Sequence, residues 1–77
     1  MIFPNKLTRY NESIISKLPI VLKLILDGER DVLELYKLCE NYFEEVQEYI
    51  CVLDILYILN KIKDVKGGKI YVEADTQ

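Results

Sequence analysis

From residue 49 to residue 59 the chain reads Tyr-Ile-Cys-Val-Leu-Asp-Ile-Leu-Tyr-Ile-Leu, and Asp54 alone interrupts an apolar run that coats every side of a helix. A surface helix on a small domain normally shows one apolar stripe, whereas a helix apolar all round belongs inside something larger. A chain of 77 residues buries only about 60 to 65% of the surface its unfolded form exposes, too little to wrap a central helix completely. The run therefore predicts a second protein against this helix. It sits in a predicted third helix from about Glu44 to Asn60. Stepping along that helix at its 3.6-residue period puts Val46, Tyr49, Ile50, Leu53, Leu56, Tyr57 and Asn60 on the inner side. Glu44, Gln47, Glu48, Cys51, Asp54, Ile55 and Ile58 fall on the outer side.

The remaining pattern supplies two earlier helices and a hairpin. Met1 to Tyr10 mixes Ile2, Phe3 and Pro4 with Asn5, Lys6 and Arg9 without a helical period, and Pro4 cannot donate to a sheet ladder, so residues 1–10 read as an extended N-terminal arm. Asn11 or Ser13 can cap a first helix running to about Asp27, with Ile14, Leu18, Val21, Leu22 and Ile25 on its apolar side and Ser16, Lys23 and Asp27 on its wet side. Pro19 takes a donor from Ile15, which predicts either a start near Ser16 or a bend. Gly28 is placed to stop the helix in left-handed backbone. Asp31-Val32-Leu33-Glu34 has capping-box spacing for a second helix that carries Val32, Leu35, Leu38 and Cys39 at helical period and ends near Asn41. Ile62 to Lys66 and Lys69 to Val72 are β-branched runs flanking Gly67-Gly68, a pair suited to a two-residue turn that needs positive φ twice. Three helices followed by a hairpin is the order of a small α+β winged-helix domain, here over residues 11–73, with 74–77 as a polar tail.

Composition narrows the function classes. With 51% hydrophobic and 30% charged residues the chain is globular, and its longest apolar stretch is too short to span a bilayer. The N-terminus lacks the order of a signal peptide, so a cytoplasmic protein is expected. The net charge of −3 opposes autonomous nucleic-acid binding, which depends on Lys and Arg neutralising phosphates. Cys39 and Cys51 lie on different predicted helices and there is no His, so they read as free thiols in the core rather than as metal ligands. Lack of His also removes the commonest general base and activator of nucleophiles. Glu40, Glu44, Glu45 and Glu48 read as a solvated helix start, favourable to the helix dipole. The only glycines are Gly28, Gly67 and Gly68, with no phosphate-binding loop among them. No enzyme activity, cofactor, metal or small-molecule substrate is expected.

The outer side of the third helix separates two readings. In a DNA-reading winged helix this side enters the major groove, yet here it carries Glu44, Glu48 and Asp54, which repel a polyanion. Cys51, Ile55 and Ile58 beside Asp54 instead form an apolar patch with a charged rim, the anatomy of a protein interface. Asp54 is either an orienting charge for the partner or paired locally with Lys61 or Lys23. In the hairpin, Lys61, Lys63, Lys66 and Lys69 accompany one acid, Asp64. Lys63, Lys66 and Lys69 are candidates for contact with a DNA backbone, although lysines on a strand also guard a sheet edge against unwanted pairing.

Several segments resemble the short middle component of bacterial ABC-three-component systems, the group that includes Lamassu-type antiphage defence. They are Met1-Ile2-Phe3-Pro4-Asn5-Lys6, Ser13-Ile14-Ile15 followed by Ile20-Val21-Leu22-Lys23-Leu24-Ile25-Leu26, and Val32-Leu33-Glu34-Leu35. The most diagnostic is Val52-Leu53-Asp54-Ile55-Leu56-Tyr57-Ile58-Leu59-Asn60-Lys61-Ile62. Asn60 stands where the pattern expects Gly, and Asn tolerates the same left-handed geometry. The resemblance implies a non-enzymatic adaptor in a hetero-oligomer, joining an SMC-like ABC ATPase to an effector such as a nuclease, with DNA met mainly through the complex. Ile2 and Phe3 of the arm, with Cys51, Asp54, Ile55 and Ile58, are the expected docking residues. The contrasting reading is a stand-alone winged-helix transcriptional regulator that binds DNA through its lysine-rich wing.

Overall fold

The computed structural model describes residues 3–73, with side chains from residue 9 onward. Helix α1 runs Phe3–Leu26. The arm expected to be extended over residues 1–10 is thus helical from Phe3, and Asn11 and Ser13 lie inside the helix rather than capping it. Pro4 is no obstacle, because the first-turn amide hydrogens of a helix have no internal partner to lose. Met1, Ile2 and the tail at 74–77 lie outside the described residues. The helix also continues through Pro19. Ile15, whose carbonyl loses its donor there, is exposed, so water can take the donor's place. At the C-terminal end Gly28, at φ +127°, donates to Ile25 O at 3.0 Å and Glu29 donates to Leu24 O at 3.1 Å. This Schellman pattern ends the helix where Gly28 was expected to stop it.

Helix α2 is Val32–Cys39, capped by Asp31, whose Oδ1 accepts from Leu33 N and Glu34 N, each at 3.0 Å. Glu34 does not reach back to complete the capping box and instead pairs with Lys37 at 3.1 Å. Glu29 takes that role from the other direction, its Oε1 accepting Asp31 N–H at 3.1 Å. A 3₁₀ turn at Glu40–Tyr42 leads to helix α3, Val46–Ile58. The end of α3 repeats the pattern at Gly28. Asn60 sits at φ +66°, Asn60 N donates to Tyr57 O at 3.0 Å and Lys61 N to Leu56 O at 2.8 Å.

Strands β1, Asp64–Lys66, and β2, Lys69–Tyr71, form an antiparallel hairpin with Val65 opposite Ile70. Gly67 and Gly68 have φ of 56° and 76°, the positive pair that a tight two-residue turn demands. The architecture is a small α+β fold of three helices and a two-stranded antiparallel hairpin. The stretch between α1 and α2 also joins the hairpin, on the far side of β2 from β1. Asp31 bridges Lys69, Ile70 N donates to Arg30 O at 2.6 Å, and Val32 N donates to Gly68 O at 2.8 Å.

One core joins the three helices to the hairpin: Ile14, Val21 and Ile25 from α1, Leu35 and Cys39 from α2, Tyr49, Val52, Leu53 and Leu56 from α3, Ile70 from β2, and Ile62 and Val72 flanking the strands. Tyr49 is at its centre, its ring 4.9 Å from Tyr36 and 5.9 Å from Phe43. Burial pushes its phenol pKa up, so the group stays a neutral donor, and the hydroxyl donates to Val32 O at 2.6 Å. Among the residues with described side chains, the α1 contribution to the core begins at Ile14, and Arg9, Tyr10, Asn11 and Glu12 before it are exposed on a helix about 36 Å long. The overall extents are 49 × 23 × 20 Å.

Removing the Tyr49 hydroxyl alone, as Tyr49→Phe, is expected to cost about 1 kcal/mol in urea unfolding, the usual net value of a buried hydrogen bond. Asp31 supplies a pH test. Its pKa lies below the ordinary 3.8, because the α2 backbone amide of Glu34 and then the Lys69 ammonium hold the carboxylate ionised. With the folded value depressed, this stabilisation is complete above pH 3.8 and fades as pH falls below it. Asp31→Asn keeps a capping oxygen and loses the titration, so its thermal stability is expected to fall less steeply than the wild type's between about pH 4 and pH 2, from the ordinary carboxylate value downward.

Candidate functional site

The buried side of α3 keeps Tyr49, Leu53 and Leu56 of the expected inner side, adds Val52, and is turned away from the rest. Tyr49, Val52, Leu53 and Leu56 are the buried residues, while Val46, Ile50 and Tyr57, expected inside, are 48%, 42% and 55% exposed. A helix with apolar residues on all sides carries little information about which side faces the core, so contacts with α1 and the hairpin decide the rotation. This rotation breaks up the expected docking patch. Cys51 and Ile55 are half-buried and pack against the core, so neither is a free interface residue. Ile58 is 76% exposed, and Asp54 is exposed as well. Ile2 lies outside the described residues, and at Phe3 only the helical backbone is described.

The same rotation assembles a different surface. Val32, Ile50, Leu53, Asp54, Tyr57, Asp64 and Val65 line a shallow groove of about 340 Å³ between α3 and β1. Val65 enters it because it pairs with Ile70 and so shares that residue's face of the hairpin, one strand further out. Ile50, Tyr57 and Val32 were expected to face the core, and neither they nor Val65 were expected at an interface. The available signal was the spacing of Val46, Ile50 and Tyr57, which share one helical stripe.

The charges around the groove are unevenly committed. Lys23, one expected partner of Asp54, pairs with Asp27 at 3.1 Å, and Asp54 has no ion pair among the described residues. Asp64 Oδ1 accepts its neighbour's amide, Val65 N–H, at 2.8 Å, and its Oδ2 lies 3.5 Å from Lys66 Nζ. Of the three lysines expected to face a DNA backbone, Lys66 is held by Asp64 and Lys69 by Asp31 at 3.0 Å. Lys63 shares a second shallow cleft with Lys66, Asp64 and Tyr71 on the hairpin. Two of the lysines thus already answer carboxylates of their own chain. Cys39 is buried, its thiol donating to Leu35 O at 3.1 Å, and burial pushes its pKa up to about 11. A thiol so placed is a poor nucleophile at neutral pH.

Residues 3–71 match the family model described as ABC-three component (ABC-3C) system Middle Component 7. No curated protein and no solved structure matches the chain. Among the described residues no helix is long and apolar enough to cross a membrane.

The two isoleucines of the broken patch should part company under the same substitution. Ile55→Arg forces a charge against the core and is expected to lower stability by about 2 kcal/mol or more. Ile58→Arg is expected to stay within about 0.5 kcal/mol of wild type, as exposed positions do. Thermal melts followed by circular dichroism read both.

Proposed function

The chain belongs to the middle component 7 family of ABC-three-component systems, and from that premise we propose that it is a non-enzymatic adaptor that joins an SMC-like ABC ATPase to an effector such as a nuclease. As a middle component it is one part of a multi-subunit defence system and has partner subunits. The proposal goes further in naming the partners, in placing the system with the Lamassu type and the cytoplasm, and in reading the fold as a winged helix. The winged-helix reading is supported by Arg30 and Asp31, which lie between the first two helices and bridge to β2 on the side away from β1.

The observation that carries the adaptor role is the apolar surface left over on α3. Val46, Ile50, Tyr57 and Ile58 remain exposed along one helix. Grouped exposure of large apolar side chains favours a protein partner over solvent. Asp54 on the same helix and the prior engagement of Lys66 and Lys69 weigh against a free-standing DNA reader. In this role the subunit positions its neighbours, and DNA acts on it through them.

Affinity purification of the tagged chain from its native host, with nuclease treatment, tests the reading. An ATPase and an effector are expected to co-elute after the DNA is destroyed. Ile58→Arg is expected to cut their recovery by about tenfold or more, as loss of an apolar interface anchor does. Elution of the chain alone, or with DNA and no partner subunits, would overturn the adaptor and favour the regulator.

A further inference from the structure

We infer that the groove between α3 and β1 receives an amphipathic helix of a partner subunit, anchored by apolar side chains and carrying a Lys or Arg that meets Asp54. This rests on the adaptor reading and specifies its contact. The groove's apolar lining consists of Val32, Ile50, Leu53, Tyr57 and Val65, and its only charged residues are Asp54 and Asp64. Asp64 is already occupied by Lys66 and by the amide of Val65. That leaves Asp54 as the charge an incoming group can answer, and an apolar segment with one cation beside it is the complement.

The form of the occupant follows from the hydrogen bonds. A strand added to the free edge of β1 needs the amide of Val65, and the Asp64 carboxylate already holds that amide at 2.8 Å. Strand addition is therefore blocked at the centre of the edge. A helix arrives with its backbone satisfied and needs only a place for its side chains. Ile50 and Tyr57 are seven residues apart on α3, about 10.5 Å along its axis, which matches anchors two turns apart on a helix lying beside it. A second copy of this chain fits less well, since a two-fold contact here brings two more carboxylates to the same rim.

A photoreactive benzoylphenylalanine replacing Ile50 in the tagged full-length chain, irradiated in the native host, tests this directly. The cross-linked peptide is then sequenced. The expected peptide belongs to a co-purifying subunit, has apolar residues at helical spacing, and carries Lys or Arg within one turn of them. The same probe at Leu33, on α2, is expected to leave that peptide unlabelled. Asp54→Lys in the probe-bearing chain should lower the cross-link yield by about tenfold or more, and Asp54→Asn by a smaller factor. Asp54 is exposed, so both variants should melt as the wild type does. Cross-linking to a second copy, to a segment without a basic residue, or with a yield indifferent to Asp54→Lys overturns the inference. Partner subunits that co-purify without cross-linking overturn the groove contact and leave the adaptor standing, whereas their absence overturns both.

Discussion

Asp31 is the residue on which the arrangement of this small domain turns. Its side chain accepts two amides at the start of α2 and one ammonium from β2, while its backbone bridges Lys69. Helix start and hairpin are thereby tied to the same point. The hairpin makes few other connections to α2, and a two-stranded sheet is marginal by itself in water. What fixes it is the added pairing along residues 30–32 together with the burial of Ile70 and Val72. Because Lys61 and the buried Ile62 donate to Leu56 O while β1 pairs with β2 and β2 with Asp31, the hairpin wall of the groove beside α3 is held from both sides.

Helix α3 shows how a small domain handles more apolar surface than it can cover. Four of its apolar residues are buried and two more, Cys51 and Ile55, are half covered, and the rest of the run remains at the surface. The polar residues there are few, and Asp54 is the only charged residue in the run from 49 to 59. Retaining such surface carries a cost in solubility, and it is coherent only in a protein that spends its working life against another. Membership of a family of middle components agrees with that conclusion on independent grounds.

Much of the fold was legible wherever a residue type has one conformational use. Gly28, Asn60 and the Gly67-Gly68 pair all take positive φ where chain reversals were expected, and Asp31 caps the helix that its spacing announced. The first helix was misjudged at its start because Pro4 was weighed as a poor strand residue, when in a first turn it costs nothing. The candidate site was legible only in outline. That α3 should keep apolar surface exposed could be read from its uniform apolarity. Which residues face outward could not, because the same uniformity hides the rotation, and Cys51 and Ile55 turned inward while Ile50 and Tyr57 turned out. The pairing of residues 30–32 with β2 was invisible for another reason: a single bridge leaves no alternating pattern to detect.

The two halves of α1 differ in mechanical footing. From Ile14 onward the helix is clamped by the core, and just before it Arg9, Tyr10, Asn11 and Glu12 are exposed. Pro19 removes one hydrogen bond across the turn that starts at Ile15, close to where the clamp begins. The weakest turn of the helix therefore lies within its anchorage, between the core contacts of Ile14 and Val21. A sideways load on the N-terminal turns is carried straight into the packing of the core, so the helix couples what it touches to the domain's interior.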